Sequence, residues 1–429
     1  MNFKNIILSL FLIISIFSFS NVNSIIEEKL NESSNYQKSL ENFVSTNYSN
    51  SIYNNWFQPY LSLSTNQLSG FTITEDGVSD IGLNADINIA NFYGVNFGVQ
   101  IPFEIKTEDN LDFDLKKENI SLSITYGLKT EYFSNKLTKE SNLLSSQYNL
   151  EEVEDSITTT TFKEIFNYYY LKNNIELQNQ KLELLQQKYE ASELEDEKEN
   201  LKKQILNQES LILSLKKSFG TINLDFSENL YIDSKSRIKN ITENDYDLSI
   251  ENRKDVEALE IAKEVDKRNT NLWFLPFLPD LNFSFGVRDY ENWNWEFGIN
   301  FQYDIFDRGE RLGESLTRKN NISNLEYNEK IDNINRTINN YKNNIESMYL
   351  ELQIFEIDYE NLIEDFQKSE ILNNHGYITD IDYKLNQISL ELKKLEIENK
   401  RNEILLEKLE LLNERGLYIR GELDWKKFF

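Results

Sequence analysis

The segment Asn271–Gly286 reads NLWFLPFLPDLNFSFG, and a similar phrase, NWFQPYLSLS, stands at Asn55–Ser64. Each phrase places a Trp-Phe pair shortly before a proline and then continues into alternating apolar and polar residues. Proline lacks an N–H and clashes with the preceding helical turn, while aromatic side chains suit the boundary between membrane and water. Each phrase therefore predicts a joint between a helix and a membrane strand. The predicted interface residues are Trp56, Pro59, Trp273, Pro276 and Pro279.

The thirteen residues from Trp293 to Ile305 alternate strictly between apolar or aromatic residues and polar ones. Residues 281–287 alternate in the same way, which predicts a hairpin that turns at 288–291. A half-buried strand of a soluble sandwich also alternates, but here the apolar side is aromatic-rich and the polar side includes Glu296 and Asp304. That pattern is typical of a strand with lipid on one face and water on the other. The run exceeds the roughly 9–11 residues that a tilted strand needs to cross a bilayer.

The first phrase leads into a longer series of alternating runs, which predicts strands over about residues 60–131. The outermost runs, beginning at Leu61 and at Ile120, correspond to the hairpin of the second half. Between them, residues 79–106 predict an inserted hairpin. Pro102 lies inside its second run and cannot donate a ladder hydrogen bond, so that strand is predicted to be an edge strand or to end early. The sequence leaves open whether this hairpin is part of a barrel wall.

The chain has 429 residues, a formal net charge of −27, one histidine and no cysteine. An acidic surplus of this size repels the phosphates of nucleic acid, which argues against nucleic acid as a partner. The acids are assigned to solvated helix faces. Without cysteine there are no disulfides and no thiolate metal sites. With no glycine-rich phosphate loop and no histidine placed to assist a serine, the sequence predicts no enzyme, no catalytic residue, no metal site and no cofactor.

The N-terminal sequence has the order of a secretory signal peptide: one lysine, an apolar run from Ile6 to Phe17, and small or polar residues through Ser24. An uncleaved anchor is the alternative, but the apolar run is short for a helix that must cross a membrane. The sequence after it has no long uncharged apolar run. A membrane location therefore requires strands.

Apolar residues recur at alternating steps of four and three from Tyr327 to Phe366, which predicts a heptad seam. No proline or glycine occurs from Glu314 to Asn374, so one helix of about 90 Å is predicted at 1.5 Å per residue. Gly376 is predicted to end it, and a return helix runs to about Arg415. That return helix carries two apolar stripes, which predicts a neighbouring helix on each side.

The first half repeats this order with weaker periodicity, giving a plan of helix, strand pair, long helix and return helix in two copies. The predicted divisions are a signal peptide at 1–24, a first repeat at 25–220 with a helical hairpin at 135–219, a polar connector at 221–252, and a second repeat at 253–429 with strands at about 280–306 and a helical hairpin at 310–415.

Four stretches together resemble the TolC-type outer membrane efflux proteins: the joint NLWFLPFLPDLNFSFG, FGINFQYDIFDRGERLGES at 297–315, HGYITDIDY at 375–383 and LLEKLELLNERG at 405–416. The resemblance implies an α+β membrane protein, a homotrimer whose outer-membrane β-barrel is continuous with a periplasmic α-helical barrel. It implies contact with outer membrane lipid, and a periplasmic adaptor and an inner-membrane pump as partners. The implied function is the exit duct of a tripartite efflux or type I secretion system, located in the outer membrane and extending into the periplasm.

The resemblance also assigns residues at the helical tip. In the family, a glycine followed six residues later by an aspartate lies at the tunnel entrance, and Gly376 and Asp382 match, with Asp380 close by. A ring of such aspartates would favour cations; the alternative is a pair of ordinary acids at a helix start. The residues implied to contact the adaptor are His375, Gly376, Tyr377 and Ile378.

Two departures from the family pattern concern the tips. Ile378 stands where some relatives have an arginine that locks the entrance, and the first-half tip at 189–198 has no glycine. His375, the single histidine, either titrates near the gate or simply caps the helix in solvent.

Two other classes of protein remain as alternatives. A secreted coiled-coil structural or adhesive protein would explain the heptads and the acidic surplus, but it predicts no strand with one lipid-like face. A simple porin would explain the strands, but it would not explain the two long helical hairpins. The sequence does not distinguish drug efflux from protein export, and it does not identify the substrate.

Overall fold

The structure is a computed structural model that describes residues 22–54, 59–65, 72–74, 77–92, 95–106, 112–115, 121–126, 131–220, 227–272, 280–288, 294–302 and 312–422. Of the predicted interface residues, Pro59 is the first residue of a strand. Trp56, Trp273, Pro276 and Pro279 lie outside the described residues. The predicted signal peptide also lies outside them, except for Val22–Ser24, which belong to the first helix.

The elements are labelled in chain order. The helices are α1 (Val22–Glu32), α2 (Ser34–Asn54), α3 (Glu131–Ala191), α4 (Glu195–Phe219), α5 (Glu228–Glu243), α6 (Lys254–Asn271), α7 (Leu312–Asn374), α8 (Asp380–Glu414) and α9 (Ile419–Glu422). The strands are β1 (Pro59–Thr65), β2 (Thr72–Thr74), β3 (Gly77–Phe92), β4 (Val95–Lys106), β5 (Asp112–Leu115), β6 (Ser121–Tyr126), β7 (Asp280–Arg288) and β8 (Asn294–Gln302).

The chain divides into two compact units, each of which takes segments from both halves of the sequence. The first unit comprises residues 1–39, 149–253 and 331–429, and the second comprises residues 40–148 and 254–330. The strands all belong to the second unit. Of the helices described, none combines the length and the apolar character that a membrane span requires.

The predicted hairpin of the second half is present as β7 and β8, which pair antiparallel in the register that the alternation requires. Phe283 pairs with Ile299 and Phe285 with Phe297, so apolar residues share one face. The other face carries the pairs Asn282 with Asn300, Ser284 with Gly298 and Gly286 with Glu296. The described β8 has 9 residues, fewer than predicted, because Trp293, Tyr303 and Ile305 lie outside the described residues.

The predicted inserted hairpin at 79–106 corresponds to β3 and β4, which pair along most of their length. The sheet order is β1-β3-β4, and β4 pairs with β6 near its start and with β5 near its end. The prediction that Pro102 marks an edge or an early end is wrong. β4 continues through Pro102 to Lys106. Its described pairing with β6 stops at Gln100, and its pairing with β5 begins at Phe103. Pro102 therefore lies between these two partners, where β4 needs no N–H donor on the edge opposite β3.

The α7–α8 hairpin has its register marked by polar pairs spaced one heptad apart. Lys393 Nζ lies 3.1 Å from Asp358, Lys400 Nζ lies 2.6 Å from Glu351, and Asn344 donates to Glu407 at 3.2 Å. Both lysine side chains are largely buried, and Lys393 Nζ stands 4.3 Å from the ring centroid of Phe355. Beside this ladder Leu352, Ile397 and Ile404 form an apolar cluster.

Helix α8 has a neighbour on each side, as its two stripes predicted. α7 lies on one side, and α3 lies on the other, where Lys163 and Lys188 of α3 pair with Glu410 and Asp382 of α8. α3 in turn packs on α4, where Gln208 Nε2 donates to the side chain and carbonyl of Gln178 at 2.6 and 3.0 Å. Within the first unit these four helices therefore stand in the order α4, α3, α8, α7.

The connector at 221–252, predicted only as polar, contains helix α5. Ser227 caps its start by accepting from Leu230 N–H, and one face is buried against α8. Tyr231 illustrates the contact: its ring stacks on Tyr169 with centroids 3.8 Å apart, and its hydroxyl donates to Glu398 at 2.8 Å. α5 joins the main core of the first unit, whose fully buried members include Val22, Ile26, Leu30, Phe162, Ile165, Ile238, Leu409 and Ile419.

A buried charge cluster fixes the C-terminal helix α9 to this core. Arg420 is 8% exposed and pairs with Glu154, which is 5% exposed, and with Glu27 at 2.8 Å. Asp155, 2% exposed, accepts from the backbone N–H groups of Ile419 and Arg420 at 3.2 and 3.0 Å. Burial raises the pKa of Asp155 to about 7, although those two hydrogen bonds lower it.

Replacing Arg420 with methionine should destabilise the protein strongly. The change leaves Glu154 buried without its cation, and breaking a buried pair in this way costs about 3–5 kcal/mol. Arg401→Met, which removes the exposed pair of Arg401 with Glu356, serves as the control and should cost at most about 1 kcal/mol. Urea unfolding followed by circular dichroism measures both, and equal losses would refute the assignment.

Asp155 should also make stability depend on pH. Its folded pKa lies above its unfolded value, so its contribution is complete below pH ~4 and is lost as pH rises through about 7. The unfolding free energy of the wild type minus that of Asp155→Asn should therefore fall between these values and level off above pH ~8. A difference that stays constant from pH 4 to 8 would show that Asp155 does not titrate in this range.

Candidate functional site at the helical tips

The turn between α7 and α8 is built around a glycine with a left-handed backbone. Gly376 has φ 73°, its N–H donates to Asn373 O at 2.9 Å, and Tyr377 N–H donates to Leu372 O at 2.8 Å. This is the hydrogen-bond pattern of a helix that ends on a left-handed glycine. A Cβ at Gly376 would meet nothing within 4 Å, so the backbone angle, and not space, favours glycine here.

The two predicted gate aspartates lie at the start of α8 and differ in their surroundings. Thr379 caps the helix by accepting from Asp382 N–H at 3.1 Å, and its hydroxyl donates to the Asp382 carboxylate at 2.7 Å. Asp382 is half-buried, whereas Asp380 is exposed. Asp380 accepts a hydrogen bond from Asn373 at 3.0 Å, which joins the two ends of the turn.

Asp382 is also bound to a lysine of the first half of the chain. Lys188, near the end of α3, places its Nζ 2.6 Å from Asp382 Oδ1. Burial acts to raise the pKa of Asp382, but the hydrogen bonds from Lys188 and Thr379 outweigh it and hold the pKa below its ordinary value. Asp382 is therefore charged at neutral pH and its charge is offset by Lys188. The sequence pattern did not single out Lys188, because the two residues are 194 positions apart.

The predicted adaptor residues form the exposed surface of the same turn. Tyr377 is 78% exposed, and its ring centroid lies 6.4 Å from that of His375. His375 is exposed, and its Nδ1 lies 2.8 Å from Ile371 O. Ile378 is half-buried. An exposed tyrosine beside an exposed imidazole offers a partner a flat, amphipathic contact area.

The first-half tip is a turn of a different kind. α3 ends at Ala191 and α4 begins at Glu195, with Ser192–Leu194 between them. Ser192 donates to Glu197 at 2.8 Å, and Leu194 has extended backbone angles, so the turn needs no glycine. Leu194 is exposed. Because Lys188 binds Asp382, the two tips lie at the same end of the helical hairpins.

Comparison with known proteins found matches among solved structures. No protein-family model and no curated protein sequence matches the chain. The structure is similar to CusC, studied for folding and transmembrane channel formation, with a TM-score of 0.59, 14% identity and 93% of each chain covered. It is similar to the CmeC outer membrane channel of Campylobacter jejuni, with a TM-score of 0.54, 13% identity, and 92% of this chain and 86% of that one covered.

The outer membrane protein VceC of Vibrio cholerae is a third match, with a TM-score of 0.56, 13% identity, and 92% of this chain and 96% of that one covered. Identities this low establish similarity of fold, and the coverage extends over nearly the whole of both chains. The resemblance predicted from the sequence motifs is confirmed at that level: the chain has the fold of the TolC-type outer membrane efflux channels.

Proposed function

We propose that the protein is an outer-membrane exit duct of a tripartite efflux or type I secretion system, built on a two-copy plan and extending into the periplasm. The observation that carries the proposal is the combination, in one chain, of an alternating sheet with two long helical hairpins in the fold of known outer membrane channels. A coiled-coil adhesin does not account for the sheet, and a simple porin does not account for the hairpins. The proposed role is passive conduction and involves no catalysis.

The first unit supports assembly of several copies into a closed ring. Its four helices stand in the row α4, α3, α8, α7, and no large apolar side chain is exposed on the described residues of the two middle helices. The outer helices differ, because each presents an apolar stripe that is between 57% and 68% exposed. The stripe residues are Leu206 and Leu213 on α4, and Leu350, Ile354 and Ile357 on α7.

The two stripes lie at matching distances from the tips. Leu213 follows the start of α4 at Glu195 by 18 positions, and Ile357 precedes the end of α7 at Asn374 by 17. Because α4 and α7 run away from and toward the same end, α7 of one copy can pack antiparallel on α4 of the next. A contact between two different surfaces closes into a ring when the rotation permits, and the resemblance to TolC-type proteins implies that this ring is a homotrimer.

The first test is detergent extraction of the outer-membrane fraction, followed by mass determination and negative-stain imaging. A trimer with the dimensions of the matched channels is expected. A soluble rod would favour the coiled-coil alternative, and a compact barrel would favour the porin. The result depends on where the protein resides and how it assembles, and it does not depend on the substrate.

A charge placed in the contact between α4 of one copy and α7 of the next, the α4–α7 seam, should dissociate the trimer. Leu213→Asp and Ile357→Asp each bury an unpaired carboxylate at the contact, and about a tenfold or larger loss of trimer is expected. Gln204→Asp, exposed on another face of α4, is the matched control and should leave the trimer intact. Native mass spectrometry of the extracted protein measures the trimer fraction. Retention of the trimer in both stripe variants would rule out the α4–α7 seam.

At the tips we propose that Asp380 and Asp382 line the entrance, and that Asp380 contributes more of the negative charge there than Asp382. The charge of Asp382 is offset by Lys188 at 2.6 Å, while Asp380 is exposed. Repeated around the trimer, the exposed carboxylates would give the opening a negative field. His375, Gly376, Tyr377 and Ile378 are proposed to contact the adaptor, because Tyr377 and His375 form the exposed outer surface of this turn.

The cation preference of the channel in planar bilayers tests this division of charge. Asp380→Asn should shift the reversal potential in a salt gradient toward zero, and Lys188→Gln should shift it the other way by freeing the Asp382 charge. Asp365→Asn removes an exposed acid of α7 and is the control, with no shift expected. If all three variants keep the wild-type reversal potential, neither aspartate faces the conducting path.

A further inference from the structure

The β3–β4 hairpin has paired neighbours on both of its long edges. β3 pairs with β1 over Thr65–Pro59, and β4 pairs with β6 over Val95–Gln100. β6 lies against β7, which pairs with β8. In the described residues β1, β3, β4 and β6 therefore stand in this order in one sheet, and the β7–β8 pair lies next to β6. A hairpin folded away from the sheet would instead leave β1 to pair with β6.

The faces of the inserted strands continue those of their neighbours. In an antiparallel ladder directly paired residues share a face, so the pairings define rows that cross β1, β3, β4 and β6. Apolar rows alternate with polar ones along the strands. The apolar rows are Pro59, Ile89, Phe97 and Ile124, then Leu61, Ile87, Val99 and Leu122; the polar or small rows are Tyr60, Asn88, Gly98 and Ser123, then Ser62, Asp86, Gln100 and Ser121.

Keeping the apolar residues of β1, β3, β4 and β6 on one face requires a matching register in all three ladders. A slip of one residue at any of the three ladders would move a strand's apolar residues to the polar face, yet none occurs across the four strands over these rows. A hairpin that covered the sheet from outside would have no reason to keep the same parity as β1 and β6. The hairpin of the second half, β7–β8, shows the same division into an apolar and a polar face.

We propose that the β3–β4 hairpin is part of the wall of the outer-membrane barrel, so that each copy contributes six strands. Six strands in each of three copies give a barrel of eighteen, against twelve if the hairpin lay outside. This inference rests on the proposed function for the existence of a trimeric barrel. Barrel diameter grows roughly linearly with strand number, so the wall is about 1.5 times wider than a twelve-stranded one, and the bore admits correspondingly larger solutes.

The antiparallel order explains why the insertion is a pair of strands. β1 runs antiparallel to β3, β3 to β4, and β4 to β6, so β1 and β6 are themselves antiparallel. Inserting two strands preserves that relation, whereas one strand would reverse it. The row Leu61, Ile87, Val99, Leu122 also shows that β1 and β6 would match in register without the hairpin.

Disulfide trapping tests the inference directly, because the chain has no cysteine of its own. The double variants Ser62→Cys/Asp86→Cys and Gln100→Cys/Ser121→Cys place cysteines at directly paired positions. Ser62→Cys/Ser121→Cys is the matched control: three strand spacings of about 4.8 Å separate its positions in the six-strand wall, beyond the ~7 Å that a disulfide spans between Cα atoms. Non-reducing gels and peptide mass spectrometry of outer-membrane vesicles report the cross-links.

The first two variants are expected to cross-link and the control is not. Cross-linking of the control, or failure of both paired variants, would overturn the inference. Cross-linking is scored within one chain, so it reports on the hairpin whether or not the extracted protein is a trimer. The mass of the extracted protein tests the proposed function separately.

A second variant measures the consequence for the barrel. Replacing residues 66–117 with the five-residue β7–β8 connector, DYENW at 289–293, would join β1 to β6 in the register of Leu61 with Leu122. End-on averages of the extracted trimer should show a barrel about 1.5 times narrower than the wild type. An unchanged diameter would mean that the hairpin lies outside the wall.

Discussion

The register between neighbouring helices is the constraint on which the rest of the first unit depends. The turn at Gly376 sets where α8 begins relative to α7, and the pairs Lys393–Asp358 and Lys400–Glu351 repeat that setting one heptad apart. Exposed ion pairs are individually worth only about 0–1 kcal/mol. Here the lysines are largely buried along their stems, so each pair also fills space in the interhelical seam.

The same register determines the levels at which the outer helices of the row, α4 and α7, expose their apolar stripes. With α7 and α8 in step, and Lys188 holding α3 to α8, the tips lie at one level. The exposed stripes on α4 and α7 are then at matching levels. Apolar stripes exposed on both ends of a helix row are a liability for a single copy. They lie on the outer helices of the row and not on α3 or α8, as the proposed ring of copies requires.

Sequence reasoning succeeded where a local rule decides the structure. The absence of proline and glycine from Glu314 to Asn374 predicted the extent of α7, and strict alternation predicted the faces of β7 and β8. It failed where the outcome depends on distant partners. Pro102 was misjudged because the rule for proline in strands considers one ladder, whereas β4 changes partner from β6 to β5 at that point.

Helix α5 and the Lys188–Asp382 ion pair are two further cases in which distant partners decide the structure. The buried residues of α5, such as Leu230 and Ile238, are separated by polar ones, and the contacts with α8 and α1 show which face is core. Lys188 and Asp382 belong to different halves of the chain, and no local pattern connects them. The motif at the second tip identified Asp382 as a candidate but gave no indication that a lysine offsets its charge.

Because β3 and β4 are two strands, an even number, the sheet can gain them while the rest of the fold stays unchanged. β6 keeps its direction relative to β1 whether or not β3 and β4 intervene, so the chain leaves the sheet toward α3 in the same sense. The helical hairpins and their tips need no adjustment when the sheet gains a hairpin. The number of strands in the sheet and the chemistry of the tips are therefore separable features of this fold. That separation accounts for a chain in which a hairpin stands between β1 and β6 and none stands between β7 and β8, and which retains the fold of the matched channels.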